Sequence, residues 1–175
     1  MPRGWPSVDS TYNITLRDTS LGPTMTILKL HSEPVQESWL DAYGHLNEAY
    51  YLVAFSNASW RLQAHFGVGT DYFDETGGTI YTVETHLRYL DEVSAPAMLE
   101  IESMILGSDA KRLHYAHVMK VDGTERATAE FMGLHFDSKA GYTTPMPEAV
   151  RAALKAAEVK ELPDWCGRQI TLART

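Results

Sequence analysis

One segment constrains the fold of this chain more than any other, because residues 46–66 have the apolar spacing of a long, largely buried helix. The apolar positions fall at intervals of three and four residues, which places them on one helix face: Tyr51, Phe55, Ala58, Leu62 and Phe66. Leu52 and Val53 widen this arc, and Gly67 ends the helix. A helix that is apolar on so many sides needs other elements packed around it.

Most of the chain after Gly77 alternates between apolar and polar residues, as β-strands do. We predict strands over residues 79–90, 97–106, 113–121 and 127–136. Asp122-Gly123 predicts a tight hairpin turn, because these residues readily take positive φ angles. The short turns between the strands indicate an antiparallel meander. An earlier strand is predicted over 24–32, and a C-terminal helix over 148–158.

This order of elements predicts an α+β fold in which an antiparallel sheet wraps around one long central helix. A length of 175 residues suits a single domain. We predict that the domain covers residues 24–159. Residues 1–23, rich in proline and hydroxyl side chains, are predicted to be an N-terminal arm, and residues 160–175 a C-terminal tail.

Composition excludes several classes of function. A net charge of −8 argues against nucleic-acid binding, since the only dense basic group is Lys111 and Arg112. No apolar run approaches the roughly 20 residues that a membrane span needs, and the N-terminus lacks the pattern of a secretory signal. A single cysteine, Cys166, suits a reducing compartment. The sequence therefore predicts a cytoplasmic protein with a small-molecule partner.

The polar stretch LDAYGHLNEAYY, residues 40–51, stands where the long helix begins. Helix-start amides are unpaired donors with a partial positive charge, so this end can hold an oxyanion. Asp41 is placed to act as a base or nucleophile on a carbonyl bound there, while His45 can donate a hydrogen bond and Asn47 can position water or substrate. The alternative is ordinary capping, which uses the same residue types.

The same stretch resembles the signature D-x-x-G-H-V/L-N-N-x-x-Y of the hot-dog fold acyl-CoA thioesterases of the 4-hydroxybenzoyl-CoA thioesterase type. Five positions match: Asp41, Gly44, His45, Asn47 and Tyr51. Glu48 replaces the second Asn, and Tyr43 replaces the first Asn of the related plant acyl-carrier-protein form. The resemblance covers roughly residues 24–137, and the predicted order of elements is that of the hot-dog fold.

The resemblance implies hydrolysis of an acyl-CoA to a free acid and CoA, without a metal or other cofactor, since CoA is part of the substrate. Asp41 would attack the thioester carbonyl or activate water, with His45 and Asn47 as further catalytic residues. Amides near His45 and Leu46 would stabilise the oxyanion. Because the family's sites lie between subunits, the resemblance also implies a homodimer or a dimer of dimers.

A narrower resemblance is carried by YTVETHLRYLDEV, DAKRLHYAHVM and TPMPEAVRAAL. These stretches are similar to the bacterial thioesterases that act on betainyl-CoA in carnitine breakdown, found alone or fused to carnitine dehydrogenase. This resemblance implies a short, cationic acyl group. Tyr43 is our first candidate for contact with a quaternary ammonium group, which proteins hold against aromatic faces.

The remaining candidates for substrate binding are Gly44, Leu46, Tyr51, Glu84, Lys111 and Arg112. Glu84 shares a strand face with His86, and that face is either part of the pocket or solvated. Lys111 and Arg112 could meet the phosphates of CoA, or form a charged hairpin tip. His114 and His117 are three apart on a strand and face opposite ways, so they do not predict a shared metal site.

Two other functions compete with the thioesterase interpretation. A hot-dog hydratase or dehydratase would act on the acyl chain, and one fold hosts several chemistries. A non-catalytic acyl-CoA-binding module would bind the same ligand without turnover. The D-x-x-G-H-L-N helix start, typical of the thioesterase branch, favours hydrolysis.

Overall fold

The structure, a computed structural model, describes residues 26–171, so the predicted N-terminal arm and the last four residues of the tail lie outside it. Along the chain the elements are β1 (Leu28–Pro34), a 3-10 turn (Glu37–Trp39), α1 (Glu48–His65), α2 (Thr70–Thr76), β2 (Gly78–Tyr89), β3 (Met98–Ser108), β4 (Arg112–Val121), β5 (Thr124–Asp137), β6 (Tyr142–Thr143) and α3 (Glu148–Ala157). None of the helices in this range is long and apolar enough to cross a membrane.

The sheet differs from the predicted meander at one strand. Within the described residues, six strands form one sheet in the order β1-β3-β4-β5-β2, with β6 paired to β5. The prediction is right for β3, β4 and β5 but wrong for β2, which pairs with β5 at the far edge. Residues 90–97 cross from β2 at one edge of the sheet to β3, the strand next to the other edge. They pass the start of α1, where Leu46 N–H donates to Val93 O at 2.7 Å.

The long helix α1 packs against the sheet as its spacing predicts. Ala54, Phe55, Ala58 and Leu62 are fully buried, which confirms the predicted α+β arrangement around a central helix. Leu52 and Val53 differ from the prediction, because they remain 42% and 40% exposed. No described element of the same chain covers that side of α1, so the buried arc is narrower than the sequence indicates.

The hairpin turn and the start of the C-terminal helix agree with the prediction, whereas one short helix does not. Asp122 and Gly123 form the predicted hairpin turn with φ angles of 50° and 77°, and α3 begins where predicted. The short helix α2 was not predicted. Its seven residues are too few to show a clear apolar period, and none of them is buried.

The predicted tail covers the face of the sheet opposite α1. Trp165 and Cys166 pack with Val159 on a second apolar cluster of buried residues: Met104, Leu106, Ala116 and Val118. Burial raises the pKa of the Cys166 thiol to about 12, so this thiol stays protonated at neutral pH. Trp165 and Cys166 of the tail therefore contribute to the packing of the domain.

Candidate active site

The motif between β1 and α1 folds as a tight turn closed by its own backbone. Asp41 N–H donates to His45 O at 2.8 Å, and Gly44 N–H donates to Asp41 O at 3.1 Å. Gly44 has a φ of 83°, a left-handed conformation that side chains other than glycine rarely adopt. The glycine is therefore required by the shape of the turn.

The turn fixes one carboxylate oxygen of Asp41. Oδ1 accepts from Tyr43 N–H at 2.8 Å and from His45 N–H at 3.2 Å. Among the described residues, no hydrogen-bond donor reaches Oδ2. Asp41 is half-buried and lines a cavity. A carboxylate that is oriented through one oxygen and unoccupied at the other can serve as a general base or a nucleophile.

Asn47 is the N-cap of α1. Its Oδ1 accepts from Ala49 N–H at 3.0 Å, and its own N–H donates to Trp39 O at 2.9 Å. The capping interpretation of the motif is thus correct for Asn47. Capping and catalysis do not exclude each other here, because the cap fixes the helix start beside Asp41.

The two amides that the sequence predicts as oxyanion donors already donate hydrogen bonds within the protein. His45 N–H donates to Asp41, and Leu46 N–H donates to Val93 O, so neither predicted oxyanion donor is free. Glu48 N–H is the first amide of α1, and the described part of the chain provides no acceptor for it. Helix starts carry a partial positive charge. Glu48 N–H is therefore the better placed donor for an oxyanion.

An open cavity of about 520 Å³ lies between the start of α1 and the end of β2. Its lining residues come from the motif, from α1, from the end of β2 and from the crossing segment: Asp41, Leu46, Asn47, Glu48, Tyr51, Tyr89, Leu90, Asp91 and Glu92. Tyr51 is buried, and burial raises the pKa of its hydroxyl. The cavity thus joins one oriented carboxylate, one free helix-start amide and two tyrosine rings.

A known protein family matches the part of the chain that contains this cavity. Residues 35–154 match the model of the thioesterase-like superfamily, which is more than half of the chain. The chain belongs to the thioesterase-like superfamily. The matched range contains the motif, α1, the crossing segment and the whole meander.

Two relatives show how this superfamily domain is used elsewhere. The L-carnitine dehydrogenase/betainyl-CoA thioesterase of Agrobacterium fabrum is 42% identical over 151 residues, which are 84% of this chain but 31% of that protein. The betainyl-CoA thioesterase of Pseudomonas aeruginosa is 36% identical over 152 residues, 83% of this chain and 96% of that protein. The chain therefore spans under a third of the fused relative and nearly all of the unfused one.

Two solved structures share the architecture of this chain. A Staphylococcus aureus protein in complex with CoA has a TM-score of 0.76 at 22% identity, over 89% of this chain and 100% of that chain. A Pseudomonas putida protein described as a candidate thioesterase has a TM-score of 0.73 at 32% identity, over 86% and 100%. The predicted hot-dog fold is confirmed.

Most of the residues that the sequence proposed for the superfamily's site lie together. Asp41, Leu46, Asn47 and Tyr51 line the cavity. Gly44, His45 and Tyr43 belong to the adjoining turn; His45 Nε2 lies 3.8 Å from Glu92 Oε1, and Tyr43 is 86% exposed.

Three other candidates are not brought to this cavity within one chain. Glu84 is exposed in the middle of β2. Lys111 Nζ donates to Thr143 O, and Arg112 pairs with Asp109. Arg112 lies opposite Leu134 of β5, whereas Tyr89 lies opposite Ala127, a separation of roughly 20 Å along the strand. A role for these three in substrate binding remains a prediction.

Five lining residues are not among the site residues predicted from the sequence: Glu48, Tyr89, Leu90, Asp91 and Glu92. Glu48 stands at the position where the chain departs from the thioesterase signature, which was the one available signal. The others join the site only because residues 90–97 cross the sheet beside the start of α1. That path depends on contacts between distant segments and has no local signature.

A serine and a histidine also lie within hydrogen-bond distance of each other away from the cavity. Ser59 Oγ lies 3.0 Å from His117 Nε2, but both residues are buried between α1 and the sheet. Burial lowers the pKa of His117 to about 3. Neither side chain lines the cavity, so this pair stabilises the fold and does not form a nucleophilic site. His114 lies on the opposite face, as predicted, bonded to Glu130.

Proposed function

We propose that this chain hydrolyses acyl-CoA thioesters to a free acid and CoA. The observation that carries the proposal is the pairing of an oriented Asp41 carboxylate with the free Glu48 N–H on one cavity. The names of the relatives support the same reaction. We also propose a cytoplasmic location, consistent with the single cysteine.

The chemistry follows from these two groups. The thioester carbonyl oxygen would accept a hydrogen bond from Glu48 N–H, where positive helix potential stabilises the negative charge of the tetrahedral intermediate. Asp41 would either take a proton from the attacking water or attack the carbonyl carbon itself, with water then cleaving the anhydride. In both routes CoA leaves as a thiolate and takes up a proton. No cofactor or metal is required for either.

The proposed substrate is betainyl-CoA, in the breakdown of carnitine. This part of the proposal rests on relatives with 36% and 42% identity that are named for that thioester. One of them is matched over almost its whole length. The two matches extend over 84% and 83% of this chain.

The test is release of free CoA from a series of thioesters, followed with a thiol reagent. Betainyl-CoA is expected to be hydrolysed faster than acetyl-CoA, butyryl-CoA or benzoyl-CoA. Cys166 can add at most one protein thiol to the signal, and an enzyme-only sample measures this contribution. Absence of CoA release from every thioester would contradict the proposal, and calorimetric binding without turnover would instead indicate a binding module.

We further propose that two copies of the chain associate through β2. This strand is the last in the sheet and pairs with β5 on one side, while its other side has no partner strand among the described residues. A long unpaired strand edge is a template for another strand. Tyr81 and Val83 on β2 are 50% and 56% exposed. Antiparallel pairing of two β2 strands would be a two-fold symmetric contact, and a second copy could also cover the exposed Leu52 side of α1.

Val83→Arg is expected to shift the protein from dimer to monomer, because two like charges would face each other near the two-fold axis. Sedimentation velocity at micromolar concentration measures the assembly. Leu162→Arg is the matched control, since Leu162 is equally exposed but lies in the tail. A wild-type protein that sediments as a monomer, or a Val83→Arg protein that stays dimeric, would contradict the β2 contact.

A further inference from the structure

The cavity has a rigid aromatic corner beside the helix start. The rings of Tyr51 and Tyr89 lie 5.2 Å apart at an angle of 87°. The hydroxyl of Tyr89 donates to Glu48 O at 3.2 Å, and the hydroxyl of Tyr51 donates to Asp91 O at 3.4 Å. These bonds hold two perpendicular ring systems against the same cavity that contains Asp41.

The charge of the cavity is strongly negative. Four carboxylates line it: Asp41, Glu48, Asp91 and Glu92. Arg126 is the nearby cation, but it is ion-paired with Asp91, and His45 faces Glu92. For the Glu48 carboxylate, the described residues provide no cationic partner. The pKa of the Tyr89 hydroxyl is raised, mainly by burial and in second place by the negative charge of Glu48. The Glu48 carboxylate is therefore close enough to act on this ring.

This acidic cavity lining would repel the CoA part of the proposed substrate. CoA is a polyanion through its phosphates, and its nucleotide end would be repelled by uncompensated carboxylates. The acyl end must therefore face this lining. A neutral acyl group would gain nothing from the acidic side chains, whereas a cationic group would be attracted by both the carboxylates and the ring faces.

We propose that the Glu48 side chain and the Tyr51–Tyr89 corner form the specificity site for a quaternary ammonium group on the acyl chain. This inference rests on the proposed thioesterase function and extends it to the residues that select the substrate. A quaternary ammonium has no N–H to donate, so aromatic faces and a nearby carboxylate are its natural partners.

The geometry fits a short acyl chain. In a betainyl group the ammonium nitrogen is two bonds from the carbonyl carbon, so the cation must bind very near the reacting atoms. Glu48 meets this requirement, because it lines the same cavity as Asp41, and in the proposed reaction its amide would donate to the thioester oxygen. One residue thus contributes the oxyanion donor through its backbone and the counter-ion through its carboxylate.

The test compares betainyl-CoA with 3,3-dimethylbutyryl-CoA, a neutral isostere in which carbon replaces the ammonium nitrogen. The measured quantity is the ratio of the two kcat/KM values. Glu48→Gln keeps the backbone amide and the side-chain shape, and is expected to lower this ratio about ten-fold through loss of one close charge interaction. Glu125→Gln, an equal change of net charge at an exposed hairpin position, should leave the ratio unchanged.

A second pair of variants tests the aromatic corner. Tyr89→Phe keeps the ring face and should retain most of the ratio, whereas Tyr89→Leu removes the ring and should lower it several-fold. A ratio near one in the wild type, or an unchanged ratio in both Glu48→Gln and Tyr89→Leu, would overturn the inference. Hydrolysis of neither thioester by the wild type would instead contradict the proposed function, so the two failures are distinguishable.

Discussion

Asp41→Asn is expected to lower the kcat for thioester hydrolysis by roughly 10³-fold, the scale of effect seen when a positioned base is lost. An amide cannot take a proton from water and cannot attack a thioester carbonyl. The amide oxygen can still accept from Tyr43 N–H and His45 N–H, which are bonded to Oδ1 of the native carboxylate. The turn and the thermal midpoint should therefore change little.

The measurement is steady-state release of CoA together with a thermal melt of the same preparation. Asp74→Asn, at an exposed position of α2, is the matched control and should keep full activity. Retention of wild-type kcat by Asp41→Asn would remove Asp41 from the mechanism. In a single turnover of the wild type in ¹⁸O-labelled water, label in the Asp41 carboxylate would show the anhydride route, because the general-base route cannot place it there.

The part of the site that lies in one continuous stretch could be predicted from the sequence. Asp41, Gly44 and Asn47 are separated by short intervals, and their turn and cap geometry follows from local hydrogen bonds. The periodicity of α1 depends likewise on neighbouring residues. For these reasons the existence of the long helix and the place of Asp41 just before its start were correctly predicted.

The rest of the site could not be predicted, because it depends on where distant segments meet. Tyr89 and Glu92 line the cavity at the start of α1 because β2 lies at the sheet edge beyond β5. A meander with β2 beside β3 satisfies the same local alternation. The helix period also marks Leu52 as apolar, but a period cannot show that no described element of the same chain packs on that side of α1.

His117 carries the largest expected effect on stability. Its ring is fully buried; Nδ1 lies 2.9 Å from Ser103 Oγ and Nε2 lies 3.0 Å from Ser59 Oγ. His117→Ala would leave a cavity and remove the partner of two buried hydroxyls. We expect the free energy of unfolding in urea at pH 7.5 to fall by about 3 kcal/mol or more. His65→Ala, at an exposed position of α1, should change it by less than ~1 kcal/mol.

The same histidine should make the protein sensitive to mild acid. Burial holds the pKa of His117 at about 3, below its ordinary value of 6.5. Between these two pH values the unfolded chain binds a proton that the folded chain does not, so stability falls as the pH is lowered through this window. Each pH unit below 6.5 removes up to about 1.4 kcal/mol of the free energy of unfolding.

His117→Gln separates this contribution from that of other groups. Glutamine is uncharged at all pH values and can still bond to at least one serine hydroxyl, so the variant should be less stable but less dependent on pH. Wild-type stability should drop by about 2 kcal/mol between pH 7.5 and pH 5 through this group.

Glu102 and Glu158, whose pKa values are lowered by lysine partners that outweigh burial, lose stabilisation only at lower pH. An equal pH dependence in wild type and His117→Gln, measured at one protein concentration, would show that another group is responsible.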